Sequence, residues 1–210
     1  MFEGVMTLNY VRCAPFLMLC AAIFAAAPVR ALQPSTPVTA VVLPDGPYSK
    51  LAVREMGREA EQILKQSGVA FRLRVGAPPQ AIGGLLVVVK LVGRCDMDGS
   101  PAHLVPGPLG WANAVNGTVL PFSDLACENL RGAVQSAIGD GNELRPNVLL
   151  GRAMGRVLAH ELYHIVAGTS GHGSDGVTQA SLSPRELTSG QLELKKSDSE
   201  AVQMGLFRAR

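Results

Sequence analysis

The feature that most constrains this chain is a five-residue pattern, His-Glu-x-x-His, at residues 160–164. The pattern lies in an apolar stretch in which Leu158, Leu162 and Ile165 recur at helical spacing. Such spacing predicts a helix whose apolar side packs against the rest of the protein. Residues four apart on a helix project from one face, with Cβ atoms about 5–6 Å apart. The fold must therefore bury a helix that presents two imidazoles side by side.

This arrangement indicates a zinc site. Zinc binds imidazole nitrogens at about 2.0–2.1 Å, so His160 and His164 can share one ion without distorting the helix. Glu161 lies beside the first histidine and can accept a proton from a water whose pKa the zinc lowers to about 7. We expect Glu161 to be the catalytic base.

A third zinc ligand is expected as well, because catalytic zinc sites usually have three protein ligands and one open position. Gly168 predicts the end of the helix in a left-handed turn, after which the chain can fold back. His172 then lies within reach and is our candidate for the third ligand. The pattern leaves four other candidates open, which are Asp175, Glu186, Glu193 and His103.

These residues resemble the metzincin clan of zinc proteases. The pattern of that clan is H-E-x-x-H-x-x-G-x-x-H followed by a methionine turn. His160, Glu161 and His164 match it as they stand, and the later glycine and histidine are displaced to Gly168 and His172. Residues 176–178 resemble the methionine turn, with threonine where the clan has methionine.

The resemblance implies a divergent metzincin-like peptidase of bacterial type. It implies hydrolysis of protein or peptide substrates, with Glu161 activating water and then protonating the leaving amine. It also implies that an edge strand lies over the active-site helix and pairs with extended substrate, and residues 109–112 resemble that strand. The clan's tyrosine after the methionine turn has no counterpart beyond Tyr163, so the oxyanion stabiliser is unassigned.

The remaining patterns predict a mixed α/β (α+β) domain. Strands are predicted at residues 38–43, 69–75 and 85–92, and a hairpin at 110–122 turns at Asn116 and Gly117. Helices are predicted over residues 49–67, from a Ser123 cap to 138, and from an Asn147 cap to 167, with one or two short helices after Pro184. We expect a twisted, mixed sheet of four or five strands, with the long active-site helix packed on it as in zincins.

The first 31 residues have the layout of a secretory signal. Arg12 precedes an apolar run at 14–27, and residues 29–31 offer small side chains, Val29 and Ala31, at the positions that a signal peptidase reads. The run is shorter than the roughly 20 residues that span a membrane. We expect cleavage after Ala31, a linker at 32–37 and a single domain at 38–210, secreted or periplasmic and detached from the membrane. An uncleaved N-terminal anchor is the alternative.

Charge and cysteine content bear on partners and compartment. The net charge is +2 and aromatic residues make up 5%, so nothing favours nucleic acid as a partner. Cys95 and Cys127 remain after signal cleavage, as one disulfide or as two buried thiols. We expect a monomer.

Two other functions compete with the peptidase. A zinc ion could only brace the fold, which would require a fourth protein ligand. Alternatively, the chain could be a metal-free binding protein that uses the apolar strand at 85–92 and the following Pro/Gly-rich loop. The presence of Glu161 beside the first histidine favours the peptidase, because a structural site needs no base there.

Overall fold

The computed structural model describes residues 36–78, 83–99, 101–102, 105–138 and 145–209. The predicted signal sequence, most of the linker and His103 lie outside the described residues. The elements in chain order are β1 (Val38–Pro44), α1 (Lys50–Lys65), β2 (Phe71–Val75), β3 (Leu85–Val92), β4 (Gly110–Val115), β5 (Thr118–Ala126), α2 (Cys127–Ile138), α3 (Pro146–Ala167), α4 (Pro184–Thr188) and α5 (Lys196–Arg208).

The strands form one mixed five-stranded sheet in the order β2-β1-β3-β5-β4. Four strands are parallel, and only β4 runs antiparallel, through its hairpin with β5. The prediction of a mixed α/β fold with a four- or five-stranded sheet is therefore confirmed. The apolar run of β3 lies at the centre of the sheet, between β1 and β5. Its Val87, Val89 and Leu91 are fully buried on one face, and Lys90 is exposed on the other.

The long helix α3 packs along α1, and two glycines of α3 make this close. A Cβ at Gly151 would meet the carbonyl of Ala52, and a Cβ at Gly155 would lie 2.7 Å from the carbonyl oxygen of Met56. The two helix backbones therefore approach each other directly. Together with the sheet and the other helices, this contact buries almost every residue of α3 from Leu150 onward.

Both predicted helix caps, Ser123 and Asn147, are wrong. Ser123 is a buried residue of β5, where it pairs with Val89, because parallel pairing with β3 extends the strand to Ala126. The side chain of Asn147 instead accepts the Met97 N–H at 2.9 Å, and α3 begins at Pro146. In both cases long-range pairing outweighs a local preference for capping.

A disulfide joins Cys95 to Cys127, with Cα atoms 5.0 Å apart. It ties the segment after β3 to the first residue of α2, and both cysteines are fully buried. Of the two states that the sequence leaves open, the structure has the bridge. Within the described part of the chain, no helix has the length and apolar character needed to cross a membrane.

Candidate metal centre

Helix α3 and the loop after it bring three histidines together. The Nε2 atoms of His160 and His164 are 3.0 Å apart. The ring of His172 stacks on that of His160 at a centroid distance of 5.2 Å and meets that of His164 edge-on at 4.8 Å. One ring nitrogen from each histidine lies within 4.8 Å of the other two.

The end of α3 turns the chain back toward these rings. Gly168 has φ 67° and ψ 40°, the left-handed conformation that ends many helices and that glycine adopts without strain. The N–H groups of Gly168 and Thr169 both donate to the His164 carbonyl, at 3.0 and 3.1 Å. This turn places the Thr169 carbonyl against the His164 ring, and it sends the chain on to His172.

Backbone carbonyls fix the tautomers of the two helical histidines. His160 Nδ1 lies 2.8 Å from the Val177 carbonyl oxygen, and His164 Nδ1 lies 2.8 Å from the Thr169 carbonyl oxygen. A carbonyl only accepts hydrogen bonds, so each Nδ1 carries a proton and donates it. In the neutral rings both Nε2 atoms therefore present lone pairs to the space between them, which is how a histidine binds metal.

Burial keeps these rings neutral. It lowers the pKa of His160 to about 4, against a smaller opposing effect of the Val177 carbonyl. Burial also lowers the pKa of His164. Two bare nitrogens 3.0 Å apart repel each other unless a cation lies between them.

The donor set fits a zinc ion. Nitrogen ligands of a tetrahedral zinc lie about 3.3 Å apart, so His160 and His164 already have nearly the required separation. His172 is the exposed member of the set and is flanked by Gly171 and Gly173. It is therefore the ring that can adjust most easily to an ion.

Glu161 lies next to these ligands and is 4% exposed. Burial raises the pKa of its carboxyl group to about 7, and a hydrogen bond from the backbone of Ala112 acts in the opposite direction. Ala112 belongs to β4, the antiparallel edge strand. Residues 109–112, which the family resemblance places over this helix, therefore include the backbone group that lies beside Glu161.

The rival third ligands have other contacts. Asp175 forms an ion pair with Lys195 at 3.2 Å. Glu186 accepts hydrogen bonds from Gln179 and from the Ser183 hydroxyl that caps α4. Among the described residues, neither these carboxylates nor Glu193 joins the histidine cluster.

Arginines earlier on α3 attach the following segment to the helix. Arg152 donates to the Thr188 carbonyl at 2.6 Å. Arg156 is 1% exposed, pairs with Glu59 at 2.8 Å, and donates to the carbonyls of Glu186, Ser189 and Gly190. The segment around α4 is therefore held firmly against the helix that carries the histidines.

A cleft of about 820 Å³ opens over the histidines and Glu161. One wall is the loop and edge strand at 105–112, and the other is the segment at 180–184. Its floor reaches Ala133 and Val157, which are nearly buried. Among its described lining residues, the ionisable groups are Glu161 and the three histidines, and the rest are apolar or hydroxyl-bearing. The cleft is large enough for a bound peptide segment.

Sequence reasoning missed the groups that support the ligands. These are the carbonyls of Thr169 and Val177, the N–H of Ala112, and Asp198, whose carboxylate accepts a hydrogen bond from Thr178. Two segments gave a signal, since residues 109–112 resemble the edge strand of the metzincin clan and residues 176–178 resemble its methionine turn. Residues 176–178 are the ones that lie against a histidine. They form a single 3-10 turn whose Val177 carbonyl contacts His160.

Comparisons with known sequences assign no family or function to this chain. No protein-family model matches the chain, and no curated protein matches it. Among solved structures, archaemetzincin from Methanopyrus kandleri aligns over 85% of this chain and 99% of its own, with a TM-score of 0.49 and 16% identity.

Proposed function

We propose that this protein is a zinc-dependent endopeptidase that acts outside the cytoplasm. The observation that carries the proposal is the pair of bare Nε2 atoms of His160 and His164, 3.0 Å apart, with their protons held on Nδ1 by backbone carbonyls. A cation between these atoms removes their repulsion, and His172 supplies a third nitrogen. In this proposal His160, His164 and His172 are the metal ligands.

When bound, zinc supplies an acidified water and polarises the substrate carbonyl. Glu161 accepts the proton of the attacking water and passes it to the leaving amine. Glu161 lines the cleft beside the histidines, where its carboxylate can reach the attacking water. The open side of β4 is suited to pair with an extended substrate backbone.

The cleft favours peptides that carry apolar side chains next to the scissile bond. Val157 lies one helical turn before Glu161 and forms part of the cleft floor with Ala133. A charged substrate side chain on this floor would lose its hydration without gaining a partner. The proposed substrates are therefore proteins or peptides with apolar residues at the cleavage site.

Two observations bear on the competing functions and on the compartment. A purely structural zinc site needs a fourth protein ligand, and the cluster within the described residues has three. The buried disulfide between Cys95 and Cys127 is expected in an oxidising compartment, which supports export.

The test uses residues 32–210 loaded with zinc and compares hydrolysis of casein with zinc content. Glu161→Gln should retain zinc and lose hydrolysis by about 10²–10⁴-fold, because the base is removed while the ligands remain. Glu61→Gln, the same change at an exposed position on α1, should leave both unchanged. Full hydrolysis by Glu161→Gln would refute the assigned role, and a zinc-loaded wild type without hydrolysis of any peptide would refute the peptidase.

A further inference from the structure

The turn at residues 176–178 contacts one proposed ligand, His160, and the residue that follows another, His172. The Val177 carbonyl accepts the hydrogen bond from His160 Nδ1 at 2.8 Å. The Thr178 carbonyl accepts the N–H of Gly173, the residue after His172, at 3.0 Å. A displacement of this turn would therefore move the first and third ligands relative to each other.

This turn has its own anchor on the C-terminal helix. The Thr178 hydroxyl is fully buried and donates to Asp198 Oδ2 at 2.5 Å. Asp198 lies on α5, is 7% exposed, and accepts a second hydrogen bond from Ser197 at 3.3 Å through its other oxygen. Hydrogen bonds to a charged acceptor are roughly twice as strong as those between neutral groups, so the carboxylate of Asp198 is a strong acceptor for the Thr178 hydroxyl.

Helix α5 is in turn fixed to the end of α3. Gly205 packs so closely against the Val166 carbonyl that a Cβ would not fit. Arg208 donates to the Ala167 carbonyl at 3.1 Å. The carboxylate of Asp198 therefore has a defined position relative to the helix that carries His160 and His164.

We propose that Thr178 and Asp198 are positioning residues for the metal centre, and this inference rests on the proposed zinc site. Their hydrogen bond fixes the position of the turn at residues 176–178 relative to α3. The turn then orients His160 through the Val177 carbonyl and His172 through Gly173. For stability alone, an apolar pair of similar volume would serve at least as well as a buried carboxylate. A hydrogen bond, unlike apolar packing, constrains the orientation of both groups, so the buried polar pair can fix the position of the turn.

The test measures zinc affinity by chelator competition, the visible spectrum of the Co²⁺ form, and the melting temperature of the metal-free protein. Thr178→Val keeps the shape and removes the hydroxyl, so zinc affinity should fall about 10–100-fold and the Co²⁺ bands should shift. Thr178→Ser keeps the hydroxyl and should restore most of the affinity.

The matched control is Thr188→Val. Thr188 is also buried, at 8% exposure, but its hydroxyl donates to the Pro184 carbonyl within α4. This change should lower the melting temperature and leave zinc affinity and the Co²⁺ spectrum as in wild type. If Thr178→Val behaves in the same way as this control, the pair is merely structural and the inference is wrong.

A second variant covers the case in which Thr178→Val does not fold. Asp198→Asn keeps an acceptor and loses the charge, so zinc affinity should fall by several-fold. Unchanged affinity in Asp198→Asn would overturn the inference while leaving the zinc site intact. A wild type that binds neither zinc nor Co²⁺ would instead overturn the proposed function, and the inference with it.

Discussion

The crossing of α1 and α3 predicts opposite effects for two glycine-to-alanine substitutions. Gly155 lies in α3, where a Cβ would sit 2.6 Å from Glu59 Cβ and 2.7 Å from the Met56 carbonyl oxygen. Alanine is favoured over glycine inside a helix by about 1 kcal/mol. Overpacking against a backbone that cannot yield costs about 3 kcal/mol. The clash is larger, so Gly155→Ala should reduce the free energy of unfolding by about 2 kcal/mol.

Gly57, inside α1, is the matched case. A Cβ there would lie 3.5 Å from Leu73 Cβ, an ordinary van der Waals distance. Only the helix preference then acts, and Gly57→Ala should raise the free energy of unfolding by about 0.5–1 kcal/mol.

Thermal and denaturant unfolding of the metal-free protein measure both changes. For a domain of this size, 1 kcal/mol shifts the melting temperature by about 2–4 °C. Gly155→Ala should therefore lower it by about 4–8 °C, and Gly57→Ala should raise it by about 1–4 °C. Stabilisation by both substitutions would refute the close backbone contact between α1 and α3.

Three further predictions follow from the cleft, the disulfide and the cap of α4. Leu182→Arg, in the cleft wall, should reduce cleavage next to large apolar residues about 10–200-fold and favour cleavage next to acidic residues. Leu192→Arg, outside the cleft lining, should leave the cleavage preference unchanged, and a peptide library measures both variants. Replacing Cys95 and Cys127 by alanine should lower the free energy of unfolding by about 3–4 kcal/mol in urea titrations, since the bridge closes a 32-residue separation. The pKa of Glu186 is lowered from 4.5 to about 2, mainly by the hydrogen bond from the Ser183 hydroxyl. The ionised Glu186 carboxylate therefore stabilises the folded protein fully above pH 4.5, and this stabilisation is lost as the pH falls toward 2. Glu186→Ala should accordingly lower the melting temperature at pH 6 and have little effect at pH 2.

Local patterns predicted most of the secondary structure. The apolar run of β3, the Asn116-Gly117 turn and the stop at Gly168 each depend on interactions within a few residues, and all three predictions are confirmed. Ser123 and Asn147 were misplaced because their roles depend on partners far along the chain. A capping preference is weak enough for such pairing to override it.

The residues of the candidate site also divide into those that local spacing predicts and those whose role depends on distant parts of the chain. His160, Glu161 and His164 are recognisable because helical spacing alone puts them together. His172 required an argument from chain reach and a helix stop. Asp198 could not be found in this way, because nothing in the loop-rich segment between it and Thr178 has a period that relates the two. Its role depends on how α5 docks against α3, which is a property of the whole fold.

Elemental analysis for zinc is the most direct test of the proposed metal site. Residues 32–210 should be stripped with a chelator, reloaded and dialysed, alongside the variant with both His160→Ala and His164→Ala. We expect about one zinc per wild-type chain and none in the double variant. No zinc in the wild type, or equal zinc in both proteins, would contradict the proposed metal site.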